Sequence, residues 1–160
     1  MDRNRPLLLV DIDGVISLFG FDHARAPEGR FVAVDGILHY LSASAGGHLR
    51  RLGEHFELAW CSGWEEKANE HLPLALDLPG PFPYVPLDGP RLTQAHWKLA
   101  SIDTFAGAQR PVAWIDDAHD PDTEAWAHRR PGPTLLVRTA PPIGLTEADV
   151  RVLADWARKL

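Results

Sequence analysis

The sequence predicts a three-layer α/β fold built on a five-stranded, mainly parallel sheet. Three observations predict it. Five short apolar runs, at 7–10, 57–61, 84–87, 112–115 and 134–137, alternate with helical patterns. The runs are almost continuously apolar, as strands covered on both faces should be. Acids and a hydroxyl gather just after three of these runs, where open α/β sheets place their ligands.

Taken in order, Leu7-Leu8-Leu9-Val10 is a short buried strand running into Asp11-Ile12-Asp13-Gly14. Residues 16–43 depart from the alternation. Asp35-Gly36 separates Phe31-Val32-Ala33-Val34 from Ile37-Leu38-His39-Tyr40, and Asp-Gly between apolar runs is a hairpin signal. This segment is expected to form a small flap beside the site, within a single domain spanning 1–160. A helix is expected at about 44–55, a strand over Glu57–Cys61 ending at Ser62-Gly63, and a second helix at about 64–77. Prolines cluster at 79–90 and 131–142 as loops. The run Tyr84–Leu87 lies within the first cluster as a candidate strand, followed by a helix at about 92–105.

The fourth run, Val112–Ile115, ends at Asp116-Asp117. Asp120-Pro121 then suggests an N-cap and first helical residue for a helix at about 121–128. After the strand Thr134–Val137, the last helix, about 146–158, is the clearest. Thr146 and Asp149 have capping-box spacing, and Val150, Leu153, Ala154 and Ala157 share a face. Right-handed crossovers would bring the strand ends to one crevice.

Composition narrows the function classes. The chain has 160 residues, the size of one domain with its own core. Its formal charge of -6 argues against a dedicated nucleic-acid surface, although Arg25, Arg30, Arg50, Arg51, Arg91, Arg129 and Arg130 are available for a local basic rim. Lys67, Lys98 and Lys159 are the three lysines among 16 basic residues, which gives a lysine at a motif position added weight. Cys61 stands alone, so no intramolecular disulfide or multi-cysteine zinc site forms, and a reducing, cytoplasmic setting is expected. No apolar run approaches the roughly 20 residues of a membrane span. The N-terminal Met1–Pro6 leads into a strand too short for a signal-peptide core. Walker A, G-x-G-x-x-G and G-x-S-x-G patterns are missing.

What remains points to phosphoryl transfer. In an extended segment, Asp11 and Asp13 fall on one side, where two like charges favour a cation or a shared proton between them. One acid can attack phosphorus while the other handles protons. Asp116-Asp117 offers the hard oxygen ligands that Mg²⁺ prefers. Ser62-Gly63 can bind phosphate through the hydroxyl and turn amides, and Lys98 can neutralise the transferring group. Taken singly, each has a plain alternative: a solvated turn for the first pair, a helix N-cap for Ser62, an exposed helical lysine for Lys98. Lys67 is the competing lysine, expected to be solvated. Of the six tryptophans, Trp60, Trp114, Trp126 and Trp156 are expected in the core or helix–sheet seams. Trp64 and Trp97 adjoin motif residues and are candidates to border the pocket, with core packing as their default. His119 is expected on a surface loop.

The ordered set Asp11-x-Asp13-Gly14, Ser62, Lys98 and Asp116-Asp117 resembles the four motifs of the haloacid dehalogenase (HAD) superfamily of phosphohydrolases, across nearly the whole chain. The fuller strings Trp60-Cys61-Ser62-Gly63-Trp64, with Ala68-Asn69, and Trp114-Ile115-Asp116-Asp117 look like the small HAD domains of "Swiss Army Knife" RNA-repair systems. The resemblance implies a Rossmann-like fold with a minimal flap in place of a large cap. It implies Asp11 as nucleophile through an aspartyl-phosphate and Asp13 as general acid and base. Mg²⁺ would be held by Asp11, the main-chain carbonyl of Asp13 and Asp116, with Asp117 as ligand or water orienter. Ser62, Gly63 and Lys98 would bind phosphate. The acid at position 13 favours phosphatase over dehalogenase chemistry. The implied substrate is a phosphorylated small molecule or a phosphorylated nucleic-acid end. A regulatory module that binds phosphate with little turnover is the alternative of a different class.

Overall fold

A computed structural model describes residues 5–160, so the start of the N-terminal segment lies outside the described residues. In chain order the elements are β1 (Leu7–Val10), β2 (Ser17–Leu18), β3 (Gly29–Val34), β4 (Ile37–Ser42), α1 (Ala45–Leu52), β5 (Glu57–Trp60), α2 (Ala68–Ala75), α3 (Leu99–Ala106), β6 (Val112–Asp116), α4 (Pro121–Arg129), β7 (Thr134–Arg138) and α5 (Glu147–Ala157). Single 3₁₀ turns precede α2, at Glu65–Lys67, and α3, at Ala95–Lys98.

The main sheet is parallel in the order β5-β1-β6-β7. Its register sets Val10 beside Trp60 on one side and Ile115 on the other. Burial on both faces explains the unbroken apolarity of β1. Leu8 and Val10 join the core beneath α1, α2 and α5, while Leu7 and Leu9 join the core with Ile102, Trp114 and Trp126. Each buried leucine contributes on the order of 1.5–3 kcal/mol relative to an exposed one.

The sheet has four strands among the described residues, one fewer than expected. Tyr84–Leu87 forms only an isolated parallel bridge, Tyr84 to Trp60. Trp60 donates to the Pro83 carbonyl at 2.9 Å and accepts from the Val85 amide at 2.8 Å. Pro81, Pro83 and Pro86 lack amide donors, so the ladder cannot extend.

Helix starts follow the sequence signals. Asp120 caps α4 and Thr146 caps α5, each in a reciprocal capping box with the residue three positions on. The segment read as one helix at 64–77 is instead a 3₁₀ turn running into an α2 that contains Pro73.

The hairpin expected at Asp35-Gly36 is present. Both residues have positive φ, 50° and 79°, as a tight turn between twisted strands requires. Strands β3 and β4 pair antiparallel, and β2 adds to β4 as a third strand. This small sheet is tied back to the main body where Ser42 donates its amide to the Ile16 carbonyl at 3.0 Å.

Candidate active site

Strand β1 lies between β5 and β6, so the segments leaving the carboxyl ends of these three strands converge. The Asp11 amide donates to the Ile115 carbonyl at 3.0 Å, and the Cys61 amide to the Val10 carbonyl at 2.8 Å. These backbone bonds lock the chain after β1 against the ends of both neighbours. The carboxylates of Asp11, Asp116 and Asp117 each place an oxygen within 4.8 Å of the others.

Lys98 is the hub. Its Nζ is 3.1 Å from Asp11 Oδ1 and 2.7 Å from Asp116 Oδ2, and it donates to the Cys61 carbonyl at 3.0 Å. It is 5% exposed, so the plain alternative of a solvated helical lysine is excluded. Burial opposes its charge, but Asp11 and Asp116 prevail and raise its pKa, holding the ammonium charged. Lys67 is far more exposed and pairs instead with Asp35 on the hairpin turn.

The acids differ in environment. Asp116 is 1% exposed; its Oδ1 accepts from the Ala118 amide at 2.9 Å and its Oδ2 from Lys98. Burial raises the pKa of Asp11 well above the usual carboxylate range; Lys98 opposes the shift and Asp116 adds to it. Asp117 is half-buried and is raised as well, by burial first and then by the charges of Asp116 and Asp13. With one ammonium among three carboxyl groups, full ionisation would leave uncompensated negative charge, so the cluster favours taking up a proton or a cation. All its donors are hard oxygens with spare lone pairs. These residues fit a divalent cation.

Gly14 shapes the cluster. Its φ of 82° is in the left-handed region, and a Cβ placed there would lie 2.5 Å from Asp117 Cγ. The Gly14 carbonyl accepts from Thr139 Oγ1 at 2.8 Å, which joins this turn to the segment after β7.

Asp13 stands outside the three-acid cluster. Its side chain is half-exposed; Oδ2 accepts from the Trp64 indole N–H at 3.0 Å, and Oδ1 lies 3.6 Å from His39 Nδ1. Asp11, Asp13, Asp116, Asp117, Gly63 and Lys98 all line one open cavity of about 240 Å³. Ser62 does not line it. That residue is buried, and its Oγ accepts from the Trp64 amide at 3.3 Å within the turn after β5. The helix N-cap that was its plain alternative is not formed, since Trp64 and Lys67 stand at the starts of the 3₁₀ turn and α2, with no side-chain cap.

Sequence reasoning did not single out Phe19, which lines the same cavity. Trp97 borders it as well, the alternative to core packing. Arg91 lines it too, with its guanidinium packed on Gly63 and donating to the Gly63 carbonyl at 3.0 Å. The expected basic rim included Arg91, but nothing local distinguished it from the other arginines. Trp64 touches Asp13, a contact between residues 51 positions apart that no periodicity reveals. His119 corrects another expectation. It is buried rather than on a surface loop, with Nε2 3.1 Å from the Trp114 carbonyl and its ring edge-on to the Trp114 indole. The loop after β6 folds back over that tryptophan.

No helix among the described residues is long and apolar enough to cross a membrane. No protein-family model matches the chain, and no curated protein matches it. Solved structures that align with it include a chain described as a HAD superfamily (subfamily III A) hydrolase from Legionella pneumophila, at 14% identity and TM-score 0.48, covering 98% of this chain and 84% of that one. A hypothetical protein from Xanthomonas campestris aligns at 15% identity and TM-score 0.49, covering 99% and 86%. A chain described as a 3-deoxy-D-manno-octulosonate 8-phosphate phosphatase from Vibrio cholerae aligns at 15% identity and TM-score 0.42, covering 98% and 85%. At these scores the chemical reading rests on this chain's own side chains.

Proposed function

We propose that this chain is a HAD-type phosphomonoesterase that uses Mg²⁺ and an aspartyl-phosphate intermediate. The observation that carries the reading is the buried meeting of Asp11, Asp116 and Lys98 at the carboxyl ends of β1 and β6, opening on a cavity that also contains Asp13.

In this reading Asp11, the Asp13 main-chain carbonyl and Asp116 hold Mg²⁺, and Asp117 ligates or orients a bound water. The ion, when bound, neutralises charge on the carboxylates and on the phosphoryl oxygens. The protein's own groups do the rest. Lys98 restrains Asp11 and donates to the phosphoryl group, while the Gly63 turn lines the phosphate position. An Asp11 oxygen forms a bond to phosphorus as the bond to the ester oxygen breaks, and Asp13 gives that oxygen its proton. Asp13 then takes a proton from water as the water attacks phosphorus, which breaks the bond to Asp11. The products are an alcohol and inorganic phosphate, and Asp11 is regenerated.

Residues 16–43 act as a small flap on a single domain in this proposal, and leave the site open. The substrate is a phosphorylated small molecule handled in the cytoplasm; net negative charge disfavours an extended nucleic-acid partner. Phosphate release from a panel of sugar phosphates, nucleotides and aryl phosphates, with and without Mg²⁺, tests the reading. Release that requires Mg²⁺ and disappears in Asp11→Asn supports it. Absence of release from every ester would overturn it in favour of a phosphate-binding module.

A further inference from the structure

We propose that Trp64 is a positioning residue for Asp13: its indole N–H fixes the carboxyl that protonates the leaving group, and the antiparallel hairpin braces the indole through His39. The proposal rests on the reading of Asp13 as proton donor.

Three contacts carry it. The Trp64 Nε1–H donates to Asp13 Oδ2 at 3.0 Å, engaging one carboxyl oxygen. Oδ1, 3.6 Å from His39 Nδ1 and so beyond hydrogen-bond distance, is the oxygen left for proton transfer. The His39 ring stands edge-on to Trp64 with centroids 4.6 Å apart. His39 Nδ1 is in turn 3.1 Å from Ser17 Oγ, which ties it to the strand directly after the Asp13 turn. Ser17 also accepts the Gly14 amide through its carbonyl at 2.7 Å, so the turn and the brace share one anchor.

This arrangement answers a geometric need. Asp13 is half-exposed, lies outside the buried acid cluster and receives no contact from Lys98 within hydrogen-bond reach among the described residues. Its backbone is fixed by the Gly14 turn, yet a free χ1 would let the carboxyl swing into solvent. A rigid indole N–H with one donor direction removes that freedom at low entropic cost, since Trp64 is itself held on both sides by the 3₁₀ turn and the His39 ring. The small antiparallel sheet is then a fixed bracket for the proton donor.

The step it serves balances simply: the Asp13 proton goes to the ester oxygen as its bond to phosphorus breaks and the Asp11 bond forms. Protonation matters most for poor leaving groups. A positioning role therefore makes a prediction that a merely structural role does not. In Trp64→Phe, kcat/KM for a series of substituted phenyl phosphates should fall more steeply as the leaving phenol becomes more basic. The expected loss is about tenfold for phenyl phosphate and under about twofold for p-nitrophenyl phosphate, within the roughly 10²–10⁴-fold that a general acid supplies. An equal loss across the series, or none, would overturn the proposal while leaving the phosphatase reading intact. A wild type inactive on the whole series would overturn both.

A second measurement does not depend on how Trp64→Phe folds. In Asp13→Ala, the Trp64 indole N–H resonance should move upfield relative to the wild type, the other five staying in place. An unmoved Trp64 signal would show that the bond to Asp13 is not made, and would likewise overturn the proposal.

Discussion

The Lys98 ammonium sits 3.1 Å from Asp11 and bridges it to Asp116, with both carboxylates withdrawn from solvent. One cation thus couples the end of β1 to the end of β6. Removing it leaves two desolvated acids facing each other.

Lys98→Met, close in volume but uncharged, should lower unfolding free energy by about 3–5 kcal/mol, the cost of breaking a buried pair by deleting one partner. Urea unfolding measures it. Mg²⁺ should restore more stability to this variant than to the wild type, because an added cation relieves the same repulsion. The same variant should lose phosphate release almost entirely.

Gly14→Ala separates metal binding from folding. The left-handed backbone costs an alanine about 1–2 kcal/mol, a tolerable loss. The new methyl would also meet Asp117 Cγ at 2.5 Å and push that side chain away. Titration calorimetry should show Mg²⁺ affinity falling by more than the stability change accounts for. Unchanged affinity would remove Asp117 from the ion site.

Most of this site was legible in the sequence because it is built at strand ends. Asp11, Asp116 and Asp117 follow unbroken apolar runs, and parallel packing forces those ends together. Lys98 was harder, since its burial depends on a 3₁₀ turn that sequence periodicity blurred into a helix from 92. Tyr84–Leu87 looked apolar enough for a strand, but its flanking prolines withhold the donors that a ladder needs. Trp64 and His39 were invisible as partners of Asp13 because their meeting depends on where the hairpin folds back, a tertiary relation with no local pattern. His119 looked like a loop residue because loops are usually wet; here the loop after β6 packs on Trp114.

Asp120 supplies a pH test away from the chemistry. Its carboxyl caps α4 and bonds His96 at 2.6 Å. Burial would raise its pKa, yet the hydrogen bonds from His96 and Thr123 outweigh burial and hold it below the usual range. A depressed folded pKa means stability that is present above the unfolded value of about 4 and lost as pH falls through the folded value. Asp120→Asn keeps the cap and loses the charge. Its deficit in urea unfolding should therefore begin to shrink as pH falls below about 4 and vanish once pH lies below the depressed folded value.

Chelation should act on both activity and stability. With EDTA, phosphate release should stop. Restoring Mg²⁺ to a hundredfold above its dissociation constant should raise unfolding free energy by about 2.7 kcal/mol if the folded state alone binds it. Thermal melts across a Mg²⁺ titration measure this. A melt indifferent to Mg²⁺ would mean the acid cluster is not its site.

The covalent step is tested most directly by acid-quenching the enzyme during turnover of a phosphate-labelled substrate and mapping the label by peptide. The label should lie on the peptide containing Asp11 and be absent in Asp11→Asn. Label on another residue, or turnover with no labelled enzyme and oxygen delivered to phosphate straight from water, would contradict a displacement by Asp11.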